Sequence, residues 1–162
     1  MTAYFSLIES HMSYGLLGWG HAPQAKRIFA LQRRVIRIIY GAGYRDDIRH
    51  TFAELGVLTL PCLYIMQCLL LIWNVNHAYH KDCRGYFTRQ GELINIEYLR
   101  LKSSRTSFNY FSKRLYNKLP LASRTLPVHL LKQRLKKWLI KHSYYSLDEF
   151  FMADLPPDML ST

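Results

Sequence analysis

Cysteine is scarce in this sequence, and no two cysteines form a C-x-x-C pair. The three present, Cys62, Cys68 and Cys83, are an odd number, which disfavours the disulfide framework that secreted scaffolds use. The N-terminus has no charged region followed by an apolar run, so no secretory signal is visible. We therefore expect an intracellular protein, nuclear or cytoplasmic, whose thiols are reduced.

Long uninterrupted hydrophobic runs are also lacking. The most apolar segment is residues 58–75, and it contains Thr59, Pro61, Gln67 and Asn74. A membrane-spanning helix needs about 20 predominantly apolar residues, and the clean apolar runs here are shorter. The sequence therefore predicts a buried core helix in this segment and no transmembrane segment.

Acidic residues are few, and none lies between Glu97 and Asp148. The chain has 22 lysines and arginines against 11 acidic residues, a net charge of +11 in 162 residues. Charge of this size favours a polyanionic partner, which can be nucleic acid, an anionic membrane surface or an acidic protein. Basic and aromatic residues interleave in the acid-free span, and such a mixture can hold phosphates and stack bases. The residues of this span that we assign to nucleic acid are Arg105, Lys113, Arg114, Lys132, Lys136 and Lys137. The alternative, in which the aromatics are core and the cations a solvated face, stays open.

Apolar residues make up 49% of the chain, which is enough to bury a core, and their spacing predicts a mainly α fold. Residues 81–110 carry glycines and mixed polar residues, and we expect a loop there with a short strand or hairpin. The predicted helices cover 4–17, 24–40, about 46–55, Pro61 to about His80, 111–119, 127–142 and a final turn or two within 144–151.

The helix at 24–40 has the strongest amphipathic pattern in the chain. At about 100° per residue, five apolar side chains fall within an arc of roughly 100°, and five basic ones fall within roughly 120° on the other side. We expect the apolar set to face the core and the basic set to form a cationic stripe facing away from it. The apolar set is Ile28, Leu31, Val35, Ile38 and Ile39, and the basic set is Lys26, Arg27, Arg33, Arg34 and Arg37.

A second amphipathic helix is predicted at 127–142. Thr125 and Pro127 are typical of a helix cap and a first helical residue. Its predicted core stripe is Val128, Leu131, Leu135, Trp138 and Leu139.

Tyr44-Arg45-Asp46-Asp47 has the letters Y-x-D-D, which mark the metal-binding carboxylates of reverse transcriptases. Two-metal phosphoryl chemistry needs several carboxylates that converge on the cations, and Glu9 is the only acid upstream of this segment. We therefore interpret Asp46 and Asp47 as residues at the start of a short helix, where negative charge is favourable. Arg45 and Arg49 are candidates to pair with these aspartates.

Other chemistry is weakly supported. His77, His80 and Cys83 have a spacing that suits zinc, but no fourth ligand is evident, and an exposed helix end is the simpler interpretation. Cys62 and Cys68 lie on the apolar helix and are expected to be buried and inert. The sequence has no G-x-S-x-G and no glycine-rich phosphate loop, so we predict no independent catalytic centre, no metal site and no cofactor.

Five segments together resemble the C-terminal part of reverse transcriptases of non-LTR retrotransposons, of the jockey-like or LINE type. The resemblance runs in order over about residues 4–151, and its blocks are 4–20, 31–70, 86–89, 114–120 and 135–151. Where that family more often has Pro-Arg-Asp-Ser, this chain has the Y-x-D-D letters at 44–47. The family's Y-N-T-R is similar to residues 86–89, where Phe87 replaces its asparagine and has no polar side-chain group.

The resemblance implies a helical thumb-like bundle and a post-thumb extension, with fingers, palm and the catalytic carboxylates lying upstream. Such a thumb grips the backbone of the template–primer duplex, here an RNA–DNA hybrid, and the complete polymerase would be expected to use Mg. The chain would then be a non-catalytic fragment whose partners are nucleic acid and the missing fingers and palm. Two alternatives remain: a stand-alone basic nucleic-acid-binding protein derived from such an element, and a membrane-surface protein.

We divide the chain into a thumb-like domain at 1–80, a connector at 81–125, C-terminal amphipathic helices at 126–152 and a frayed tail at 153–162. A thumb without its palm is expected to leave apolar surface uncovered and to self-associate. The candidates for that surface are Tyr4, Phe5, Ile8 and Met12.

Overall fold

The structure is a computed structural model, and it describes residues 1–75, 92–98, 100–101, 107–157 and 159. This part of the chain is mainly helical, as the sequence predicts. Its first helical segment, Tyr4–Glu9, is π-helical. Nine α-helices follow in the described residues: α1 Ser10–Ser13, α2 Leu16–Trp19, α3 Ala25–Tyr40, α4 Arg49–Glu54, α5 Leu60–Trp73, α6 Phe108–Lys118, α7 Leu121–Arg124, α8 Val128–His142 and α9 Leu147–Met152.

Helix α5 is the centre of the fold, and α2, α3, α6 and α8 pack around it. Eight of its fourteen residues are buried, which is expected of a helix that is apolar on every side. Thr59 caps it by accepting a hydrogen bond from the Cys62 N–H, and the Thr59 hydroxyl donates to the Tyr144 carbonyl at 2.6 Å. The prediction that this helix reaches His80 is wrong, because it ends at Trp73, where the Asn74 side chain donates to the Leu70 carbonyl.

The predicted single helix at 4–17 is interrupted at Tyr14 and Gly15, because the π-helical segment runs directly into α1 and only α2 is separate. Gly15 adopts the left-handed conformation, with φ at 60°, and turns the chain between α1 and α2. Gly20 then lets the backbone approach α5, since a Cβ there would lie 2.9 Å from Tyr64 Cε2 and 2.7 Å from the Leu16 carbonyl oxygen.

Helix α3 has the predicted extent and ends at Gly41, but its predicted core face is wrong. The buried residues are Phe29, Gln32 and Ile36. Leu31 is 60% exposed and Ile38 is 73% exposed. At about 100° per residue, the apolar stripe is rotated by roughly 100° from the side that meets the core.

Gln32 gives a physical reason for this rotation. Its Nε2 donates to the Tyr4 hydroxyl and to the Leu58 carbonyl, both at 2.8 Å, and its Oε1 accepts from the Leu60 N–H at 2.8 Å. One buried amide therefore satisfies polar groups of the first helical segment and of the start of α5. A rotation that buried Leu31 would break all three bonds.

The C-terminal helices follow their predictions closely. In α8, Leu131, Leu135 and Leu139 are fully buried as predicted, whereas Val128 is exposed. Thr125 does not cap α8, because its hydroxyl donates to the Ala122 carbonyl and Pro127 occupies the cap position. The final turn predicted within 144–151 is present as α9, which the Ser146 hydroxyl caps through the Glu149 N–H.

Ile94 is the buried residue of segment 92–98. Its backbone N–H and C=O both bond to the Asn117 side chain of α6 at 2.9 Å, which fixes the segment to the bundle. The rest of the predicted hairpin region lies largely outside the described residues.

A single buried cluster contains residues from Tyr4 to Met159. Tyr4 and Met12 belong to this core, so the prediction that they form uncovered apolar surface is wrong. Ile8 is partly buried against the core, and Phe5 is exposed. The domain boundaries stay predictions. No helix of the described residues is long and apolar enough to cross a membrane.

Candidate nucleic-acid interface

The exposed cations of α3 are Lys26, Arg27 and Arg34. Helix α3 contains no acidic residue, so nothing on the helix itself neutralises them. Arg27 and Arg34 lie within roughly 20° of each other around the helix and about two turns apart along it, a spacing of about 10 Å. They form the outermost part of the cationic stripe.

Arg33 and Arg37 behave differently, and for them the prediction of a stripe facing away from the core is wrong. Both are half-buried. The Arg33 guanidinium lies 5.1 Å from the Phe29 ring centroid and 5.8 Å from that of Tyr145, a cation–π arrangement. Arg37 Nη2 donates to the Asp46 carbonyl at 3.3 Å. These two arginines hold α3 to its neighbours.

A second exposed set of cations lies on α8, where Lys132, Lys136 and Lys137 all reach solvent as predicted. Lys136 is close enough to Glu9 to influence its carboxyl. Burial raises the pKa of Glu9, and the positive charge of Lys136 opposes that shift. The first helical segment and α8 therefore approach each other at this edge of the bundle.

The cations of α6 are only partly available. Lys113 is half-buried, and the Arg114 guanidinium lies 4.7 Å from the Phe151 ring centroid while the residue stays exposed. Arg105, the remaining predicted site residue, lies outside the described residues.

The eight described aromatics of the acid-free span divide between core and surface, and Tyr98 and Phe108 are exposed. Phe111, Tyr116 and Tyr144 are buried. Trp138 is half-buried and stacks on His142 with ring centroids 3.9 Å apart. The interpretation of these rings as core is therefore confirmed for the three buried ones, and base stacking on them is excluded by their burial.

Arg124 also belongs to the acid-free span, yet its role is structural. Its guanidinium donates to the carbonyls of Asn117 and Leu119, with Nη2 at 2.9 Å and 2.6 Å. Burial lowers the pKa of this arginine, which nevertheless stays charged at neutral pH. It satisfies the free carbonyls at the end of α6, a role that a basic residue just after a helix often takes.

The Y-x-D-D letters lie in a turn just before a helix start. Asp46 Oδ2 accepts from the Gly43 N–H at 2.7 Å, and Asp47 Oδ1 accepts from the Arg49 N–H at 3.0 Å. Asp47 thus bonds to the first N–H of α4, but Ile48 is the N-cap residue and α4 begins at Arg49. Both aspartates therefore lie just before the helix and do not occupy its start as predicted. In the described part of the chain, no three His, Cys, Asp or Glu side chains are grouped so that they could hold a metal ion.

Arg49 was a predicted partner of the aspartates, but its guanidinium pairs with Glu149 of α9 and lies 4.3 Å from the Tyr145 ring centroid. Glu149 Oε2 also accepts from the Tyr145 N–H at 2.7 Å. Burial by itself would raise the pKa of Glu149, but these donors outweigh it and hold the pKa below its usual range. Only the Ser146-x-x-Glu149 capping pattern signalled a structural role for Glu149 in the sequence.

The two cysteines of α5 are buried, as expected. Burial raises the pKa of the Cys62 thiol to about 12 and also raises that of Cys68. Both are therefore thiols at neutral pH and poor nucleophiles. The His77, His80 and Cys83 group lies outside the described residues.

Comparison with known proteins gives no relative for this chain. No protein-family model matches it, and searches of curated proteins and of solved structures give no match.

Proposed function

We propose that this chain is a non-catalytic C-terminal fragment of an RNA-directed DNA polymerase of a non-LTR retrotransposon, which grips the template–primer backbone through basic helical faces. The proposal rests on the resemblance of residues 4–151 to that family and on the charge of the helices. It assigns no catalytic residue and no cofactor to the fragment, and it leaves Mg to the complete polymerase. The fingers and palm of that polymerase would be its protein partners.

The observation that carries the proposal is the exposure of basic residues on two helices that themselves contain no acidic residue. Lys26, Arg27 and Arg34 on α3 and Lys132, Lys136 and Lys137 on α8 reach solvent. Exposed lysines and arginines that contact phosphates release condensed counterions, which is the main source of affinity for a duplex of any sequence. A hybrid is then recognised by the shape and charge of its backbone.

The predicted phosphate-binding cations that the structure describes fall into two groups, one half-buried and one exposed. Arg33 contacts the rings of Phe29 and Tyr145, and Arg37 donates to the Asp46 carbonyl. These two arginines therefore contribute to binding by stabilising the position of α3. Direct phosphate contact falls to the exposed cations, which are the better targets for substitution.

Binding of the purified chain to a short RNA–DNA hybrid across a salt series tests the proposal. We expect the logarithm of the affinity to fall linearly with the logarithm of salt concentration. Neutralising Arg27→Gln and Arg34→Gln together should reduce the slope by about 2, one unit for each lost phosphate contact. A matched double variant, Arg45→Gln with Arg100→Gln, has the same change in charge outside both predicted faces and should reduce the slope less.

Equal reduction by both double variants would mean that only net charge matters, which would contradict a defined grip. A folded chain that fails to bind at low salt would overturn the proposal as well. The alternative of a stand-alone binding protein makes a different prediction, since it requires no polymerase coding sequence just upstream in the genome.

A further inference from the structure

An unusual surface of the described residues is the apolar stripe of α3, which we define as Ile28, Leu31, Val35, Ile38 and Ile39. Leu31, Ile38 and Ile39 are exposed, and Ile28 and Val35 are half-buried. These residues extend over about three turns, or roughly 16 Å along the helix. A soluble bundle normally turns such a stripe inwards, and here the hydrogen bonds of Gln32 hold it outwards.

The border of the stripe is positively charged. At about 100° per residue, Arg27 and Arg34 lie directly beside Ile38 around the helix, and both arginines are exposed. Helix α3 carries five basic residues and no acidic residue. Tyr44, four residues beyond the end of the helix, is 90% exposed.

We propose that this stripe docks on an anionic phospholipid surface, with α3 lying in the plane of the membrane interface. The aliphatic side chains would enter the boundary between headgroups and acyl chains, as they do in amphipathic helices that lie on membranes. Arg27 and Arg34 are placed to extend from the stripe to lipid phosphates, because long basic side chains reach the interface from an apolar surface. Tyr44 has the amphipathic ring that suits the same depth.

Two other occupants fit the surface less well. A second copy of this chain would bring the bordering arginines and two net charges of +11 together, and like charges across an interface are repulsive. Nucleic acid fits the arginines, but leucine and isoleucine have no ring on which bases could stack. The lipid surface matches both the charge and the aliphatic chemistry.

Co-sedimentation of the full chain with vesicles tests the inference. We expect binding to vesicles of phosphatidylcholine mixed with phosphatidylserine and much weaker binding to phosphatidylcholine alone. The double variant Leu31→Ser with Ile38→Ser should bind at least about tenfold more weakly, because it removes much of the apolar area that would be inserted. The matched double variant Leu7→Ser with Leu121→Ser changes two similarly exposed leucines outside α3 and should bind as the original chain does.

Thermal unfolding followed by circular dichroism checks that both double variants remain folded. Equal loss of binding in the two double variants, or no binding to the anionic vesicles, would overturn the inference. So would sedimentation of the original chain as a dimer that Leu31→Ser with Ile38→Ser converts to a monomer, which would make the stripe an interface between copies.

The inference goes beyond the proposed function and can fail without it. The Leu31→Ser with Ile38→Ser variant keeps every basic residue, so its affinity for the RNA–DNA hybrid should be unchanged. We expect this variant to lose vesicle binding and to keep its binding to the hybrid. If the original chain binds the hybrid but not the vesicles, the inference alone is contradicted. If it binds the vesicles but not the hybrid, the proposed function alone is contradicted.

Discussion

Ile36 and Ile38 lie two positions apart on α3, and the first is fully buried whereas the second is 73% exposed. The two side chains are chemically identical, so the difference in their exposure reports the orientation of the helix. That orientation decides which cations are free for a partner and which hold the fold together.

Truncation of these two isoleucines should have unequal effects on stability. Ile36→Ala leaves a cavity in a packed core, and we expect it to lower the free energy of unfolding by about 3 kcal/mol. Ile38→Ala removes exposed atoms and should change stability by no more than about 0.5 kcal/mol. Urea denaturation of the two variants makes the comparison, and a larger effect at Ile38 would show that the apolar stripe faces the core after all.

Gln32 should be far more important for stability than an exposed glutamine. Gln32→Ala leaves the buried Leu58 carbonyl and Leu60 N–H without their partner, and we expect a loss of about 3 kcal/mol. Gln133→Ala, on the exposed side of α8, is the control and should cost less than about 0.5 kcal/mol. Denaturant unfolding measures both, and similar small losses would contradict the role of Gln32 in orienting α3.

Two glycines near the start of the chain should respond oppositely to alanine. Gly20→Ala forces a Cβ against Tyr64 and the Leu16 carbonyl, which have little room to move, and should cost about 1–3 kcal/mol. A Cβ at Gly18, which lies in α2, would meet no atom within 4 Å, so Gly18→Ala should be neutral or stabilise by up to about 1 kcal/mol. Thermal melts of both variants check this contrast, and destabilisation by Gly18→Ala alone would contradict the close approach at Gly20.

The ion pair between Arg49 and Glu149 should make stability depend on pH. The folded-state pKa of Glu149 lies below its ordinary value of 4.5, so its contribution is present above that value and is lost as the pH falls through the folded pKa. Glu149→Gln should therefore cost about 1 kcal/mol near neutral pH, and the cost should shrink below about pH 4. Urea denaturation of both chains over this range provides the measurement.

Asp154→Asn is the control for that experiment, since Asp154 is an exposed carboxylate outside the pair. Its effect on stability should be small at every pH. A Glu149→Gln cost that stays constant down to about pH 3 would mean that the carboxylate charge does not stabilise the fold.

The local features of the fold were readable from the sequence. Gly41 ends α3 and Gly56 follows α4 in left-handed conformations, and the apolar spacing at 131, 135 and 139 identified the buried side of α8. These features depend on backbone conformations and periodicities that a few adjacent residues set for themselves.

Periodicity failed at α3 because it locates an apolar stripe without saying what covers it. The predicted nucleic-acid site is affected in the same way. Its five basic residues on α3 share one side of the helix, yet three are exposed and two are half-buried. Only the packing of Phe29 and Ile36 and the hydrogen bonds of Gln32 set that division.

The sequence by itself determined the helical class, most helix ends, the burial of α5 and the large positive charge. Each of these follows from local propensity, capping or composition. Tertiary structure alone decided the rotation of α3, the partner of Arg49 and the cations that remain exposed. Those outcomes depend on contacts between residues as far as 100 positions apart, such as Arg49 and Glu149, and no local pattern specifies them.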